Sequence, residues 1–386
     1  MRPDRATILA CVVFVVGCAA AYGGLFSHAY PGDAGTYAIY GRALVFDGRI
    51  PYRDFYVEYP PGAIPLFALP ALLSDAHYIL VFKLLMTGCG VGIVVSAAWL
   101  VRRLELSYLR LAPIVLAPPL LGPVFLNRYD PLPALLGSLA LIALLRGRDR
   151  ASGALLGVAT ALKVYPAVWL PLLARRARSR VGAGVSFLVA CALLVLPFFA
   201  LAPGGVGFSF WTQAKRHLQI ESIGASLLLV GSKLGIHHVD WIAGKPGSVD
   251  LGGHAADATA VLSSLLSLAL VVLVLRAYWQ GPDTDARLVT AAAAALVAFT
   301  VFGKVLSPQY MTWLLPLVPL AAGRKGLAAA GAFLVAIALT WPEYSFGDHG
   351  LRNQDWSVWL LLVRNAFLVA TFVLLYRQLR ERAVRA

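Results

Sequence analysis

The chain has 386 residues, of which 59% are hydrophobic and only 13% charged, where soluble chains carry roughly 25% charged residues. That balance excludes an ordinary soluble domain. The net charge of +14 does not call for nucleic acid, because the basic residues gather in short stretches between apolar runs: Arg102 and Arg103, Arg146, Arg148 and Arg150, Arg175, Arg176, Arg178 and Arg180, Arg324 and Lys325, then Arg377, Arg380, Arg382 and Arg385. Cytoplasmic loops of membrane proteins carry this bias.

A helix needs about twenty apolar residues to cross a bilayer. Residues 6–26 supply the first such run. Arg2 and Arg5 precede it as in a signal peptide, but the run is longer than a signal core, so it reads as an uncleaved span with its N-terminus inside. Residues 27–61 form an outer loop rich in Gly, Asp and Tyr. Residues 62–73 are apolar but too short to cross, and Pro65 and Pro70 interrupt them; they read as half-inserted. Residues 77–101 then bring Arg102 and Arg103 inside. Residues 111–126 and 132–145 go out and back, leaving Asn127, Arg128, Tyr129 and Asp130 in a short outer turn.

Residues 151–174 have strongly basic flanks on both ends. One span would strand the four-arginine cluster outside, so the sequence predicts a helix broken near Lys163, Val164, Tyr165 and Pro166 that enters and returns on one side. Irregular backbone at that depth needs protein or water around it. Residues 181–202 lead out to a second outer loop, 203–255, and 256–275, 288–302, 310–320, 327–341 and 358–376 complete the crossings. The expectation is an all-α polytopic membrane protein. It is one membrane domain over residues 1–386, with about ten full spans, two broken segments and both termini cytoplasmic, at the plasma membrane. The four cysteines lie in apolar segments and match neither metal nor disulfide spacing.

The first outer loop mixes acids, arginines and aromatics: Asp33, Tyr37, Tyr40, Arg42, Asp47, Arg49, Arg53, Asp54, Glu58 and Tyr59. This composition suits sugar handling, since carboxylates bind or deprotonate hydroxyls and aromatic faces pack on sugar rings. It also suits a solvated loop. Asp33, just beyond the first span, is a candidate general base. Glu58 is a candidate hydrogen-bond acceptor for sugar, or a structural partner of Arg53. Lys163 lies in the middle of an apolar segment, where a charge is expensive and needs a function or a partner: a lipid phosphate, a buried acid, or the interface by snorkelling.

In the second outer loop, residues 213–222 place Arg216 and Gln219, and His217 and Glu221, on shared faces if they are helical. A basic cluster on the outer side suggests an anion. Lys304 and Gln309 lie in a short outer turn between spans. No metal site is expected, and His237, His238 and His254 lack ligand spacing. No nucleotide-binding motif is present, so no soluble cofactor is expected and any donor arrives through the lipid.

Several stretches in order resemble glycosyltransferase family 87, the polyprenyl-phosphate-mannose-dependent mannosyltransferases of the GT-C class. They are Gly32-Asp33, the run Pro51-Tyr52-Arg53-Asp54-Phe55 followed by Glu58-Tyr59-Pro60-Pro61, Asn127, Gly157 followed by Lys163-Val164-Tyr165-Pro166, Arg216 followed by Gln219-Ile220-Glu221-Ser222, and Ser307-Pro308-Gln309-Tyr310 followed by Trp313. The resemblance implies a GT-C fold and inverting transfer of a sugar, mannose or a pentose such as arabinofuranose, from a polyprenyl-phosphate donor to a glycolipid or glycan acceptor on the extracytoplasmic side. By position it implies Asp33 as the base, with Lys163, Arg216 and Gln309 available for phosphate or sugar. A flippase of a lipid-linked sugar, without chemistry, is the alternative reading of the same cations and aromatics.

Overall fold

The computed structural model describes residues 4–22, 32–243, 249–344, 347–353 and 355–384. Helix α1 (Arg5–Ala20) begins at Asp4, whose carboxylate accepts from the Thr7 amide at 2.8 Å. The expected end of the first span and the start of the first loop, including Tyr30 and Pro31, lie outside the described residues. Helix α2 (Asp33–Val45) starts immediately after Gly32, whose φ of 59° is one that glycine adopts without strain. A single 3-10 turn, Pro61–Ala63, leads into α3 (Ile64–Leu73), the short apolar element expected at 62–73, and α4 (Tyr78–Arg103) follows.

The expected span at 111–126 is not one helix. It is α5 (Ala112–Val115), α6 (Ala117–Leu121) and α7 (Pro123–Leu126). Pro113, Pro118, Pro119 and Pro123 have no amide to donate, and Gly122 turns the chain at φ 55°. Carbonyls freed by such breaks need other donors. Arg110, just before α5, answers the same need at a second break, donating to the carbonyls of Pro319 (3.1 Å), Ala321 (3.0 Å) and Gly323 (3.2 Å).

Helix α8 (Pro131–Leu145) and α9 (Asp149–Leu162) follow. Lys163 is extended, with φ −157° and ψ 129°; a 3-10 segment (Tyr165–Trp169) and α10 (Leu170–Arg176) come next. This is the break expected from Pro166. Then come α11 (Arg180–Leu201), α12 (Pro203–Ala214), β1 (Leu218–Gln219), α13 (Ile223–Lys233), β2 (Asp240–Ala243), β3 (Val249–Gly252) and α14 (His254–Trp279). The second loop is therefore largely structured, and its strands form a sheet in the order β1-β3-β2 with antiparallel neighbours. The chain ends with α15 (Asp285–Val301), α16 (Tyr310–Leu314), α17 (Gly323–Tyr344), α18 (Gly347–Asn353) and α19 (Asp355–Val384).

Among the described residues five helices, α4, α11, α14, α17 and α19, are long and apolar enough to cross a membrane, and they correspond to five of the expected spans. Helices α11 and α14 expose Val181, Leu188, Leu193, Leu262, Leu265 and Leu268, apolar surface that lipid accepts and water does not. Helix α15 behaves oppositely, with every residue from Arg287 to Ala298 buried. Expected span 310–320 is α16 and a 3-10 turn, Val318–Leu320, separated at Pro316.

The chain forms two compact units, each discontinuous in sequence. The first comprises residues 1–98 and 125–215. Its core collects Tyr37, Tyr52, Val57, Phe67, Phe82, Met86, Tyr129 and Val206, and α9 packs between α8 and α11. Gly62 allows the 3-10 turn to lie on α9, because a Cβ there would stand 2.5 Å from the Ala161 backbone. The second comprises residues 99–124 and 216–386. In it α15 and α17 pack on α19, and Leu218, Leu229, Leu251, Ala260 and Leu361 share a core.

Candidate functional site

In the first unit one sequence candidate, Tyr59, reaches another, Asp33. As the first residue of α2, it sits where the helix dipole favours negative charge. Three donors reach one of its oxygens, Oδ2. The Tyr59 hydroxyl donates at 2.9 Å and the Tyr37 hydroxyl at 3.4 Å, and the Arg128 Nη1 pairs with the same atom. Oδ1 has no partner among the described residues. The Asp33 side chain is 20% exposed and that of Arg128 14%. The contacts of this carboxylate among the described residues thus fall on one oxygen.

Aromatic rings shape the cradle. Tyr37 stacks on Phe67 at 4.3 Å and meets Tyr59 and Tyr129 edge-on at 5.2 and 5.6 Å. Burial pushes the Tyr37 and Tyr59 phenols well above their usual range, so both remain protonated donors. Tyr59 is itself placed by the 51–59 segment: the Tyr52 hydroxyl donates to the Tyr59 carbonyl at 2.7 Å. Tyr52 has a φ of 68°, strained for a side-chain-bearing residue. Gly205 lies against it, since a Cβ at Gly205 would come 1.9 Å from the Tyr52 oxygen. A surface cavity of about 320 Å³ opens between this segment and α12.

The turn after α7 carries the other charged partners. While Arg128 reaches Asp33, Asp130 reaches Lys163, whose Nζ is 2.6 Å from Oδ1. That pair is dry, with the Asp130 side chain 1% and the Lys163 side chain 16% exposed. The ammonium also lies 4.7 Å from the centre of the Tyr129 ring, and the Tyr129 hydroxyl donates to the Leu162 carbonyl at 3.1 Å. Of the readings open for Lys163, pairing with a buried acid is the one observed. Sequence reasoning placed Arg128 and Asp130 in a turn and assigned them no role. Their signal was the alternation of a base and an acid in four residues between two apolar runs.

One expectation in this unit needs correcting. Glu58 does not pair with Arg53: its Oε1 accepts from Gln213 at 3.2 Å. Arg53 binds its neighbour Asp54 at 2.8 Å and is half exposed, because the tight turn at 50–55 leaves the adjacent carboxylate nearest. This pairing, together with the Ile50 amide, lowers the Asp54 carboxyl to about 2.

Arg216, Gln219, Glu221, Lys304 and Gln309 all belong to the second unit. Residues 213–222 are not a helix. The chain leaves α12 at Ala214, and Gln219 joins β1 opposite Asp250; the antiparallel ladder overrides the i,i+4 pattern. The strand nonetheless gathers the candidates. The Gln219 amide donates to the Lys304 carbonyl at 3.0 Å, and its Oε1 accepts from the Leu306 amide at 2.8 Å. Arg216 stands 4.0 Å from Asp250. Burial and the nearby Arg216 lower the Lys304 ammonium, and Asp250 opposes that shift. The Ser307 hydroxyl donates to Gln309 Oε1 at 2.5 Å. Glu221 is buried, and its carbonyl accepts from Arg364 at 2.7 Å and Asn365 at 3.3 Å. Among the described residues no group of His, Cys, Asp and Glu is arranged to hold a metal ion.

Residues 56–308 match glycosyltransferase family 87. The chain belongs to glycosyltransferase family 87. A polyprenol-phosphate-mannose-dependent alpha-(1-2)-phosphatidylinositol mannoside mannosyltransferase of Mycobacterium tuberculosis (strain ATCC 25618 / H37Rv) is 28% identical over 322 residues, which are 78% of this chain and 69% of that protein. Its namesake from Mycolicibacterium smegmatis (strain ATCC 700084 / mc(2)155) is 29% identical over 235 residues, 58% of this chain and 49% of that one. Among solved structures, ArnT from Cupriavidus metallidurans bound to undecaprenyl phosphate covers 97% of this chain and 76% of its own, at 16% identity and a TM-score of 0.49. This family 87 glycosyltransferase carries its half-buried carboxylate, tyrosines and arginine in one unit of its fold.

Proposed function

We propose that this family 87 enzyme has a GT-C fold and transfers mannose from a polyprenyl-phosphate donor to a hydroxyl of a glycolipid or glycan. The transfer occurs on the extracytoplasmic side of the plasma membrane and inverts the anomeric centre. The two mycobacterial relatives are polyprenol-phosphate-mannose-dependent, which supports the donor. One observation carries the chemistry: Asp33 is held at Oδ2 by Tyr59, Tyr37 and Arg128, and its Oδ1 has no partner among the described residues. A carboxylate anchored through one oxygen suits a general base. It takes the acceptor proton while the acceptor oxygen attacks the anomeric carbon from the face opposite the phosphate. A direct displacement of this kind inverts the centre.

The remaining cations have graded roles in this reading. Lys163 shapes the site through Asp130. Arg216 and Lys304 form a second polar cluster suited to phosphate or sugar, with Gln219 as its brace, and Gln309 follows in the same turn as Lys304. Glu58 presents a carboxylate for sugar hydroxyls, and Arg53 lies at the rim of the cavity beside it.

The test uses purified protein in proteoliposomes with labelled polyprenyl-phosphate-mannose. Asp33→Asn is expected to lose transfer by about a hundredfold or more, with expression and membrane insertion intact. Full activity in that variant removes Asp33 from the role. If the wild-type protein moves the lipid-linked sugar across the bilayer and forms no glycosidic product, the flippase reading replaces this one.

A further inference from the structure

We propose that Arg128 is the anion anchor for the phosphate of the lipid-linked donor, and that Asp33 holds it in reserve until the base takes up its proton. The inference rests on Asp33 acting as the general base.

A guanidinium has five N–H donors in a planar fork that matches two oxygens of a phosphate. Arg128 uses Nη1 on Asp33. Its Nη2 and Nε have no partner among the described residues, although the side chain is 14% exposed. A nearly buried arginine normally satisfies more of its fork. The spare donors lie beside the carboxylate at which the acceptor must react, so a phosphate seated on them is next to the bond being made.

The other nearby cation does not fit this role. Lys163 is committed to Asp130 at 2.6 Å, with Asp130 almost fully buried. Moving Lys163 to a phosphate would take the ammonium away from a buried carboxylate, which is costly. Arg128 pairs with a carboxylate whose charge changes during the reaction. The acceptor O–H proton goes to Asp33 Oδ1, and the acceptor oxygen bonds to the anomeric carbon. The bond from that carbon to the phosphate oxygen breaks, and its electron pair stays on the phosphate. Asp33 passes from an anion to a neutral acid. The phosphate passes from a singly charged diester to a monoester that can carry two charges. The guanidinium therefore loses its first partner at the step in which its second becomes more anionic. Its attraction transfers from base to leaving group without a large movement.

Undecaprenyl phosphate, a polyprenyl monophosphate, is the probe, and its binding to protein in nanodiscs requires no turnover. Asp33→Asn removes the charge that holds Arg128, as protonation does. It is expected to bind the probe about tenfold more tightly than wild type, and undecaprenol without phosphate is expected to show no gain. In an Arg128→Gln background, which keeps a planar amide, the probe binds more weakly and Asp33→Asn no longer improves it. Unchanged or weaker binding in Asp33→Asn overturns the proposal, and that comparison leaves Arg128 intact, so it stands even if Arg128→Gln does not fold. A gain that survives Arg128→Gln also overturns it. Transfer activity of Asp33→Asn is read separately: an inactive variant with no binding gain refutes the Arg128 proposal and leaves the base in place, whereas an active one refutes the base.

Discussion

Breaking the Lys163–Asp130 pair separates a structural cation from a catalytic one. The charges are 2.6 Å apart, and Asp130 is 1% exposed. At an effective dielectric of about 20 the Coulomb attraction is about 6 kcal/mol. Much of it offsets the loss of hydration, so the pair's net worth is smaller. Removing one partner is different: Lys163→Met takes the ammonium from a carboxylate in a dry site, at a cost of about 3–5 kcal/mol. Asp130→Asn is milder, since Lys163 keeps the Tyr129 ring at 4.7 Å and some access to water. The double variant Lys163→Met/Asp130→Asn leaves neither charge and is expected to recover at least half of the single-variant loss. Thermal unfolding in detergent reads the four proteins, and transfer activity is measured alongside. A Lys163→Met protein as stable as wild type refutes the reasoning, as does a double variant whose loss equals the sum of the singles. A double variant that regains stability without activity gives Lys163 a direct part in the chemistry.

Tyr59→Phe keeps the ring packing on Tyr37 and Tyr129 and removes the 2.9 Å hydrogen bond to Asp33. A hydrogen bond to a charged group is worth about 1.5–3 kcal/mol, so kcat should fall about tenfold to hundredfold with little change in Tm; an unchanged kcat detaches Tyr59 from the base. Gln219→Leu strands the Leu306 amide that its side chain now satisfies, at about 1–3 kcal/mol, and hydrogen exchange at 303–309 should rise; unchanged exchange there refutes the brace. The folded Asp54 carboxyl, at about 2, lies below its ordinary value of 3.8. The pairing therefore stabilises the 50–55 turn fully above the ordinary value, and that stability is lost as pH falls from about 4 to about 2. Protection of this turn should decay in that window, and decay in Arg53→Ala should be weaker; a turn equally protected at pH 2 and pH 5 contradicts the assignment.

Hydropathy and charge made much of the membrane architecture legible. Helices α4, α11, α14, α17 and α19 were visible because long apolar windows end in basic clusters. The break at Lys163 was visible because both flanks of 151–174 are basic and Pro166 supplies the interruption. The 111–126 segment misled because hydropathy counts apolar residues and ignores four prolines. Asp33 and Tyr59 were legible as chemistry near the membrane, but their contact is not local, since 26 residues separate them. Arg128 and Asp130 escaped for the same reason: their partners lie far away in sequence. Residues 213–222 read as a helix because charges recur at i,i+4, and nothing local reveals that Gln219 pairs with a strand near 250. What sequence periodicity lacks in each case is the identity of a distant partner.

The carbonyl cap made by Arg110 has a consequence for the order of assembly. Its first acceptor, Pro319, is synthesised 209 residues later, and Ala321 and Gly323 follow. While the ribosome is still making the middle of the protein, the guanidinium has none of its final acceptors, and the broken helices α5–α7 cannot settle into their finished unit. That unit closes only when the chain beyond residue 320 has emerged. Nascent chains truncated before residue 319 should therefore expose 108–126 to protease and chaperone, and chains released after residue 323 should protect it. Maturation of this enzyme is timed by its C-terminal third.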